Sequence, residues 1–150
     1  MTHSVSQYLN RKIKVAVLGL GRIAETHFNA IMQHPQDLEL VAVCDADEHR
    51  LQSIAQQYHV TGYHDLDQML LNTDADVVVI CTPSGMHAMQ TLKVAQSGRH
   101  VITEKPMATY WQDGLSMVKA CENAGVRLYV VKQNRLNAPI QQLKKAIQQG

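Results

Sequence analysis

The segment from Lys12 to Ala24, KIKVAVLGLGRIA, restricts the fold of this chain more than any other stretch. Ile13 to Leu18 form a short, mostly apolar and partly β-branched run, which predicts a strand buried on both faces, as in a parallel sheet. The run leads directly into G-L-G-R-I-A, which matches the G-x-G-x-x-G/A pattern, and a helical stretch follows. A glycine turn between a strand and a helix is typical of a dinucleotide-binding unit.

Each small residue of this turn has a physical reason in such a unit. Gly19 lets the chain turn sharply off the strand, Gly21 lets the backbone approach a pyrophosphate, and Ala24 lets the helix pack against the strand. The phosphates would lie on free N–H groups at the helix N-terminus, where the helix dipole favours negative charge. The residues of this turn that we predict to bind the cofactor are Gly19, Gly21, Arg22 and Ile23.

Strand and helix patterns alternate along the rest of the chain. Strands are predicted at about 13–18, 38–44, 62–63, 77–81, 100–103 and 127–132. Helices are predicted at about 22–33, 47–58, 65–71, 86–97, 110–124 and from Pro139 onwards, with Asp47 and Asp65 as caps. This alternation predicts an α/β fold, a Rossmann-type doubly wound parallel sheet in three α/β/α layers with strand order 3-2-1-4-5-6.

The domain boundaries follow from the same pattern. The polar residues 1–11 are predicted to be a loose tail, and residues 12–137 to form the dinucleotide-binding domain. Residues 138–150 are predicted to form an amphipathic helix whose apolar stripe needs a partner. We expect this helix to lead towards a second, substrate-binding domain that lies outside the chain.

Charge and composition exclude several function classes. The formal net charge is +1 with scattered basic residues, which predicts no nucleic-acid partner. No apolar run is long enough to span a bilayer, so no membrane partner is expected. The three cysteines and eight histidines have no metal-ligand spacing, so we predict no metal site and reduced thiols in a cytoplasmic protein.

The acid that follows the second strand indicates which cofactor binds. Ligands of such sheets bind beyond the carboxyl ends of the strands, and Asp45 ends the second strand. A carboxylate there accepts hydrogen bonds from the adenosine ribose and repels a ribose phosphate, which predicts NAD rather than NADP. Alternatively, Asp45 is only a turn residue. Arg50 could in principle allow NADP to bind, but it lies a turn into the next helix.

Unusual residues also follow the fourth, fifth and sixth strands. Thr82 and Pro83 are predicted to border the nicotinamide, and His87 either to touch the cofactor or to be an ordinary helix histidine. Lys105 is predicted to be the catalytic residue, because a lysine there can hydrogen-bond a substrate hydroxyl and move its proton, although most lysines are surface residues. Glu104, Lys105 and Gln133 complete the predicted cofactor site.

Two other function classes fit a glycine turn. An S-adenosylmethionine methyltransferase usually has an acidic residue before its turn, where this chain has Val17 and Leu18, and it leaves Lys105 without a role. A non-catalytic module that senses NAD(H) and reports to a partner would need the same turn and the same Asp45. It predicts that replacing Lys105 has no effect on the full-length protein.

Taken together, four motifs resemble the Gfo/Idh/MocA family, which includes glucose–fructose oxidoreductase and inositol dehydrogenase. They are G-L-G-R-I-A at 19–24, C-D at 44–45, C-T-P-S-G-M-H at 81–87 and E-K-P-M-A at 104–108, and the resemblance spans Lys12 to about Ile147. Within the family, V-V-K-Q-N-R-L-N at 130–137 looks most like the bacterial dehydrogenases of UDP-N-acetylglucosaminuronic acid, which act in surface polysaccharide biosynthesis.

This resemblance implies a two-domain NAD-dependent dehydrogenase that oxidises a ring hydroxyl of a sugar or sugar nucleotide, at carbon 3 in that subgroup. A free sugar or an inositol is the alternative substrate. Lys105 matches the family lysine that contacts the reacting hydroxyl, whereas its usual histidine or aspartate partner belongs to the second domain. The resemblance also implies a homo-oligomer, a dimer or tetramer, and a fragment of 150 residues that is inactive alone.

Overall fold

A computed structural model describes residues 11–149 of the chain. Residues 1–10 of the predicted tail and the last residue, Gly150, lie outside the described residues. Arg11 lies at the start of the described chain, where its guanidinium contacts the Asp76 carboxylate at 2.6 Å. This ion pair ties the segment that precedes the first strand to the segment that precedes the fourth.

Six parallel strands form one sheet in the order β3-β2-β1-β4-β5-β6, as predicted. The strands are β1 (Ile13–Leu18), β2 (Leu38–Cys44), β3 (Thr61–Tyr63), β4 (Val77–Ile80), β5 (His100–Thr103) and β6 (Leu128–Val130). The strand order reverses beside β1, so a crevice opens between the ends of β1 and β4. The predicted Rossmann-type fold is therefore confirmed.

In residues 11–149, five α-helices connect the strands and a sixth follows β6. They are α1 (Ala24–Gln33), α2 (Glu48–Tyr58), α3 (Leu66–Asn72), α4 (His87–Gln96), α5 (Trp111–Ala124) and α6 (Ala138–Gln149). Asp47 and Asp65 cap α2 and α3 as predicted, because each carboxylate accepts a hydrogen bond at 3.0 Å from the backbone N–H three residues later. Both caps fix helices that begin at the edge where the glycine turn lies.

The core has two layers because β1 is buried on both faces. Val15 and Val17 pack with Phe28 of α1 and Leu51 of α2 on one face. Ala16 and Leu18 pack with residues of α3, α4 and α5 on the other, among them Met69, Val94 and Cys121. Successive side chains of a strand point to opposite faces, so a continuous apolar run serves both layers.

Several element boundaries differ from the predictions, among them those of α1, α4 and β6. α1 begins at Ala24, two residues later than predicted, because the Ala24 N–H donates to the Gly21 carbonyl at 2.9 Å and extends the turn. A 3-10 turn at Ser84–Met86 precedes α4, which begins at His87. β6 is shorter than predicted because only Val101–Thr103 of β5 pair with it.

The last helix presents the predicted apolar stripe to solvent. Ile140, Leu143 and Ile147 are 44%, 57% and 72% exposed. No helix within residues 11–149 is long and apolar enough to cross a membrane. The stripe is therefore a surface feature of the described chain that this domain does not cover.

Candidate nucleotide-binding site

Backbone hydrogen bonds align the ends of four strands at one edge of the sheet. The Gly19 N–H donates to the Cys44 carbonyl at 2.8 Å, and the Cys81 N–H donates to the Leu18 carbonyl at 2.7 Å. The Glu104 N–H donates to the Ile80 carbonyl at 3.0 Å and adds the end of β5. The glycine turn, Asp45 and the segment after β4 consequently converge, as the strand order predicts.

Gly19 is required by both its backbone conformation and its surroundings. Its φ is +84°, a region that L side chains rarely adopt, and a Cβ there would lie 2.8 Å from the Thr82 nitrogen. Gly21 differs, because a Cβ at that position would meet no atom within 4 Å. The fold therefore requires a glycine at position 19, whereas Gly21 leaves open space in front of the turn.

Asp45 is anchored to the glycine turn. Its Oδ2 accepts a hydrogen bond at 2.7 Å from the Leu20 N–H, and its Oδ1 accepts one at 2.8 Å from the Asp47 N–H. Burial alone would raise the pKa of this carboxyl group, but these two N–H donors and the Arg50 guanidinium outweigh it and lower the pKa. The side chain is therefore ionised at neutral pH and retains lone pairs for further donors.

The converging strand ends enclose a cavity of about 630 Å³. Its volume lies in the range of about 300–1,000 Å³ that is usual for small-molecule and cofactor sites. Five of the predicted site residues line it: Gly19, Gly21, Asp45, Thr82 and Pro83. Apolar side chains of Leu66, Met86 and Met89 contribute to the wall beyond the strand ends. The cavity thus combines the glycine turn and the acid with an apolar surface.

Six predicted site residues do not line this cavity. They are Arg22, Ile23, His87, Glu104, Lys105 and Gln133. Arg22 and Ile23 lie on the exposed side of the turn, and His87 is buried behind the cavity wall. Lys105 and Gln133 are exposed and follow β5 and β6, which lie one and two strands beyond β4. The cavity wall is formed instead by residues that follow β1, β2, β3 and β4 and by residues of α4.

The buried Glu104 side chain holds the backbone of Lys105. It is 6% exposed, and its Oε1 lies 2.9 Å from the His27 Nε2 of α1. Its Oε2 accepts a hydrogen bond at 3.2 Å from the Lys105 N–H. The carboxylate therefore links α1 to the segment after β5 and leaves the Lys105 ammonium group facing outward. The sequence analysis did not identify His27, because a single histidine on a helix carries no spacing signal.

Arg50 reaches the site from a helix turn away. Its Nη1 lies 3.2 Å from the Asp45 Oδ2, and its Nη2 lies 3.3 Å from the Asp47 carboxylate. Arg50 therefore contacts the Asp45 carboxylate although it lies a turn into α2, since an extended arginine spans that distance. His64 and Lys93 also line the cavity, and each is paired with a carboxylate, Glu48 and Asp67 respectively.

Gln90 is a second residue that the sequence analysis missed. It is 5% exposed, lines the cavity and accepts a hydrogen bond from the Thr82 hydroxyl. It lies three residues after His87 on α4, so helical spacing from the C-T-P-S-G-M-H motif would have found it. Gln90 holds the Thr82 side chain in one orientation at the cavity wall.

At this edge the described residues present neutral thiols and no cluster of metal-ligating side chains. Burial raises the pKa of Cys44 and of Cys81 to about 12, so both thiols beside the cavity are neutral. Within residues 11–149, no group of three or more histidine, cysteine, aspartate or glutamate side chains could hold a metal ion. The chemistry of this site therefore depends on the backbone N–H groups, Asp45 and the polar residues that follow β4 and β5.

These features fit a bound dinucleotide. No side chain caps the first turn of α1. The Ala24 and Thr26 N–H groups already donate to the Gly21 and Ile23 carbonyls, at 2.9 and 3.2 Å, so a phosphate would bind N–H groups of the turn that precedes α1. The open space at Gly21 admits a pyrophosphate close to the backbone, and Asp45 lies where a ribose hydroxyl would be bound. The described residues thus combine a glycine turn, open space beside its backbone and a carboxylate at one cavity, which is the arrangement typical of a dinucleotide site.

Known proteins share this arrangement. Residues 13–132 match the model of the GFO_IDH_MocA oxidoreductase family, described as an NAD-binding Rossmann fold. Over 139 residues the chain is 32% identical to the D-glucoside 3-dehydrogenase of Escherichia coli (strain K12), covering 92% of this chain and 40% of that protein.

Two solved structures are more similar. The WlbA dehydrogenase from Chromobacterium violaceum, in complex with NADH and UDP-GlcNAcA, has a TM-score of 0.91 and 48% identity over 94% of this chain and 41% of that chain. The WlbA dehydrogenase from Bordetella pertussis, also with NADH and UDP-GlcNAcA, has a TM-score of 0.91 and 51% identity over 93% of this chain and 43% of that chain. The chain therefore spans about two fifths of the length of these proteins.

Proposed function

Because the chain belongs to the Gfo/Idh/MocA oxidoreductase family and has its NAD-binding Rossmann fold, we propose that it is the NAD(H)-binding part of a longer sugar-nucleotide dehydrogenase. The proposed substrate is UDP-N-acetylglucosaminuronic acid, and the proposed reaction is oxidation of its carbon 3 hydroxyl. The identity of 48% and 51% to two WlbA dehydrogenases carries this proposal, since both bind NADH and UDP-GlcNAcA.

In this proposal the cavity residues hold the cofactor. The turn from Gly19 to Ile23, including Gly21 and Arg22, would bind the pyrophosphate through backbone N–H groups. Asp45 would accept hydrogen bonds from the ribose hydroxyls while it remains bonded to Leu20. Thr82 and Pro83 would border the nicotinamide ring, which accepts a hydride when the cofactor is bound.

Lys105 is the proposed catalytic residue. Its exposed ammonium group follows β5, next to the segment after β4, where a substrate hydroxyl would approach the nicotinamide position. There it would orient the hydroxyl and take part in removing its proton. Glu104 supports this role because it fixes the Lys105 backbone at 3.2 Å.

A second domain after residue 137 completes the proposed enzyme. Two observations support it: the chain spans 40% of D-glucoside 3-dehydrogenase, and α6 exposes an apolar stripe. We further propose that the full-length protein is a cytoplasmic dimer or tetramer and that residues 1–150 alone lack dehydrogenase activity. The three buried cysteines are free, which agrees with a reducing compartment. Light scattering of the full-length protein would determine the oligomeric state.

The substrate proposal has a direct test. The full-length protein is supplied with NAD⁺ and UDP-N-acetylglucosaminuronic acid, and NADH formation is followed by absorbance. We expect turnover with this substrate and none with UDP-N-acetylglucosamine, which lacks the carboxylate. Turnover of free sugars or inositols alone would reject the sugar-nucleotide assignment and favour the second candidate.

That second candidate is a dehydrogenase of a free sugar or an inositol. It is supported by D-glucoside 3-dehydrogenase at 32% identity and by the myo-inositol 2-dehydrogenase of Thermotoga maritima at 27% identity. Both percentages are lower than those to the WlbA dehydrogenases. The residues proposed for the cofactor and for Lys105 would keep the same roles.

Replacing Lys105 separates an enzyme from a sensor of NAD(H). In the full-length protein, Lys105→Ala should lower kcat by about 10²–10⁴-fold, the usual contribution of a general acid–base group. NADH affinity should change little, and Lys119→Ala, at an exposed lysine of α5, is the matched control. An unchanged kcat in Lys105→Ala would reject the catalytic role and favour a non-catalytic binding module.

A further inference from the structure

His87 is buried between the two segments that the proposed reaction must bring together. It is the first residue of α4 and is 1% exposed. It does not line the cavity, and both of its ring nitrogens face the protein backbone. A fully buried imidazole requires partners for its ring nitrogens, and these partners show what the residue does.

Both ring nitrogens of His87 face backbone carbonyl oxygens. Nε2 lies 2.9 Å from the Thr82 carbonyl oxygen, in the segment that follows β4. Nδ1 lies 2.9 Å from the Pro106 carbonyl oxygen, in the segment that follows β5. Both distances are usual for N–H···O hydrogen bonds. One side chain therefore spans from the residue proposed to border the nicotinamide to the residue after Lys105.

This span begins where the sheet ends. In the described residues, the backbone hydrogen bond from the Glu104 N–H to the Ile80 carbonyl, at 3.0 Å, is the last one that joins β4 to the end of β5. Thr82 and Pro106 each lie two residues further along. Beyond the sheet, the imidazole provides a rigid link across the gap between the two segments.

We propose that His87 is a positioning residue that sets the spacing between the nicotinamide-binding segment and the Lys105 segment. The inference rests on the proposed function, because it needs Thr82 and Lys105 to act on one substrate carbon. Positioning matters strongly for such a reaction, since misplacement by about 1 Å can lower a rate by about 10²-fold. The buried ring contributes to packing, but the effect proposed here is that it fixes the distance between the segment that contains Thr82 and the segment that contains Pro106.

Two amide substitutions can separate the two contacts of His87. The Asn amide nitrogen takes the place of Nδ1, so His87→Asn keeps a donor for Pro106 and loses the contact with Thr82. The Gln amide nitrogen reaches the place of Nε2, so His87→Gln keeps a donor for Thr82 and loses the contact with Pro106. A ring with one N–H donates to only one of the two carbonyls, so the full opposite pattern is expected where both ring nitrogens carry a proton.

The test measures NADH Kd and kcat for both variants in the full-length protein. For His87→Gln we expect an NADH Kd within about threefold of the wild type and a fall in kcat of about tenfold or more. For His87→Asn we expect the opposite order, with NADH Kd raised by about fivefold or more and a smaller fall in kcat. Equal proportional losses in both variants would overturn the proposal, because a purely structural residue would produce them.

Two control variants separate positioning from stability. Val94→Ala truncates a buried core residue of the same helix and should lower Tm while NADH Kd and kcat change together. His34→Gln makes the same chemical change at an exposed histidine and should alter neither quantity. A split between Kd and kcat in Val94→Ala as large as that in His87→Gln would overturn the proposal.

A measurement on the wild type covers the case in which a variant does not fold. In ¹⁵N-labelled protein, the His87 ring N–H should exchange with water far more slowly than that of exposed His34, because it is held by a carbonyl. Equal exchange rates would overturn the proposal. If the wild type binds NADH but does not oxidise UDP-N-acetylglucosaminuronic acid, the proposed substrate is rejected. The NADH affinities of His87→Asn and His87→Gln then still show whether the contact with Thr82 positions the cofactor-binding segment.

Discussion

Replacing Gly19 by alanine should destabilise the protein through two separable effects. The first is backbone strain, because the φ of +84° is unfavourable for any residue with a Cβ. The second is steric overlap, because the new Cβ would lie 2.8 Å from the Thr82 nitrogen and 2.9 Å from the Cys81 carbonyl carbon. Ordinary contacts of a Cβ are 3.4–4 Å, so the segment after β4 would have to move.

The size of each effect can be estimated. A left-handed backbone costs a residue with a Cβ about 1–2 kcal/mol, and the stiffer unfolded chain returns about 0.4–1 kcal/mol. Forcing extra atoms into a packed site costs about 1–3 kcal/mol more. We therefore expect Gly19→Ala to lower the free energy of unfolding by about 2–4 kcal/mol.

Gly98→Ala isolates the strain from the overlap. Gly98 has a φ of +79°, close to that of Gly19, but a Cβ there would meet nothing within 4 Å. Urea unfolding of the wild type and both variants, followed by circular dichroism, gives the two changes in unfolding free energy. Gly98→Ala should cost about 1 kcal/mol, which leaves a difference of about 1–3 kcal/mol for the overlap with the segment after β4.

The result that would refute this reasoning is equal destabilisation by Gly19→Ala and Gly98→Ala. Equal values would mean that the segment after β4 moves without cost and that Gly19 is required for its backbone conformation alone. The same experiment reports on function, because any shift of Thr82 also disturbs the proposed nicotinamide contact. NADH affinity should therefore fall in Gly19→Ala and remain unchanged in Gly98→Ala.

Three further predictions concern the cofactor site and its supports. Gly21→Ala should change the free energy of unfolding by less than about 0.5 kcal/mol, because the new Cβ meets only open space. It should raise the NADH Kd by about tenfold or more, because a pyrophosphate would occupy that space. An unchanged Kd on NADH titration would contradict this prediction. Asp45→Asn should reduce the preference for NADH over NADPH in parallel titrations, with Asp37→Asn at an exposed site as control. Because folding lowers the pKa of Asp45, its contribution to stability is fully present above about pH 4 and is lost as pH falls through the lower folded value. Asp45→Asn should therefore flatten the acid side of the urea-unfolding profile, and an identical profile would contradict the assignment. Asp76→Asn should lower the free energy of unfolding by about 1–3 kcal/mol at neutral pH. The reason is that Asp76 accepts hydrogen bonds from the Arg11 guanidinium and, at 2.8 Å, from the Lys14 N–H. If urea unfolding gives Asp76→Asn the same free energy as Asp37→Asn, at an exposed site, this role is excluded.

Local patterns along the chain were sufficient to predict the fold. The alternation of apolar runs and amphipathic stretches predicted the strand order, because parallel connections have a fixed hand and the glycine turn identifies β1. The caps at Asp47 and Asp65 were predictable because a cap is a contact over three residues. Features that depend on a short sequence separation were therefore visible without a structure.

The site was predictable only in part. Asp45, Thr82 and Pro83 were expected to lie together because they follow the converging ends of β2 and β4, and all three line the cavity. The reach of the Arg50 side chain and the link from His27 to Glu104, 77 residues apart, depend on side-chain conformation and long-range packing. The burial of His87 also could not be predicted, because the same residue at the start of a helix is often exposed.

The hydrogen bond between Asp45 and Leu20 has a consequence for how such a protein can change its cofactor over evolution. The carboxylate that would distinguish the ribose also holds the glycine turn, at 2.7 Å. A single substitution that removes both carboxylate oxygens to admit NADP therefore also removes the acceptor of the Leu20 N–H, in the turn proposed to bind the pyrophosphate. A lineage that changes its cofactor then needs a second substitution that replaces the lost hydrogen bond to the Leu20 N–H. Cofactor preference and the stability of the turn would therefore change together during evolution.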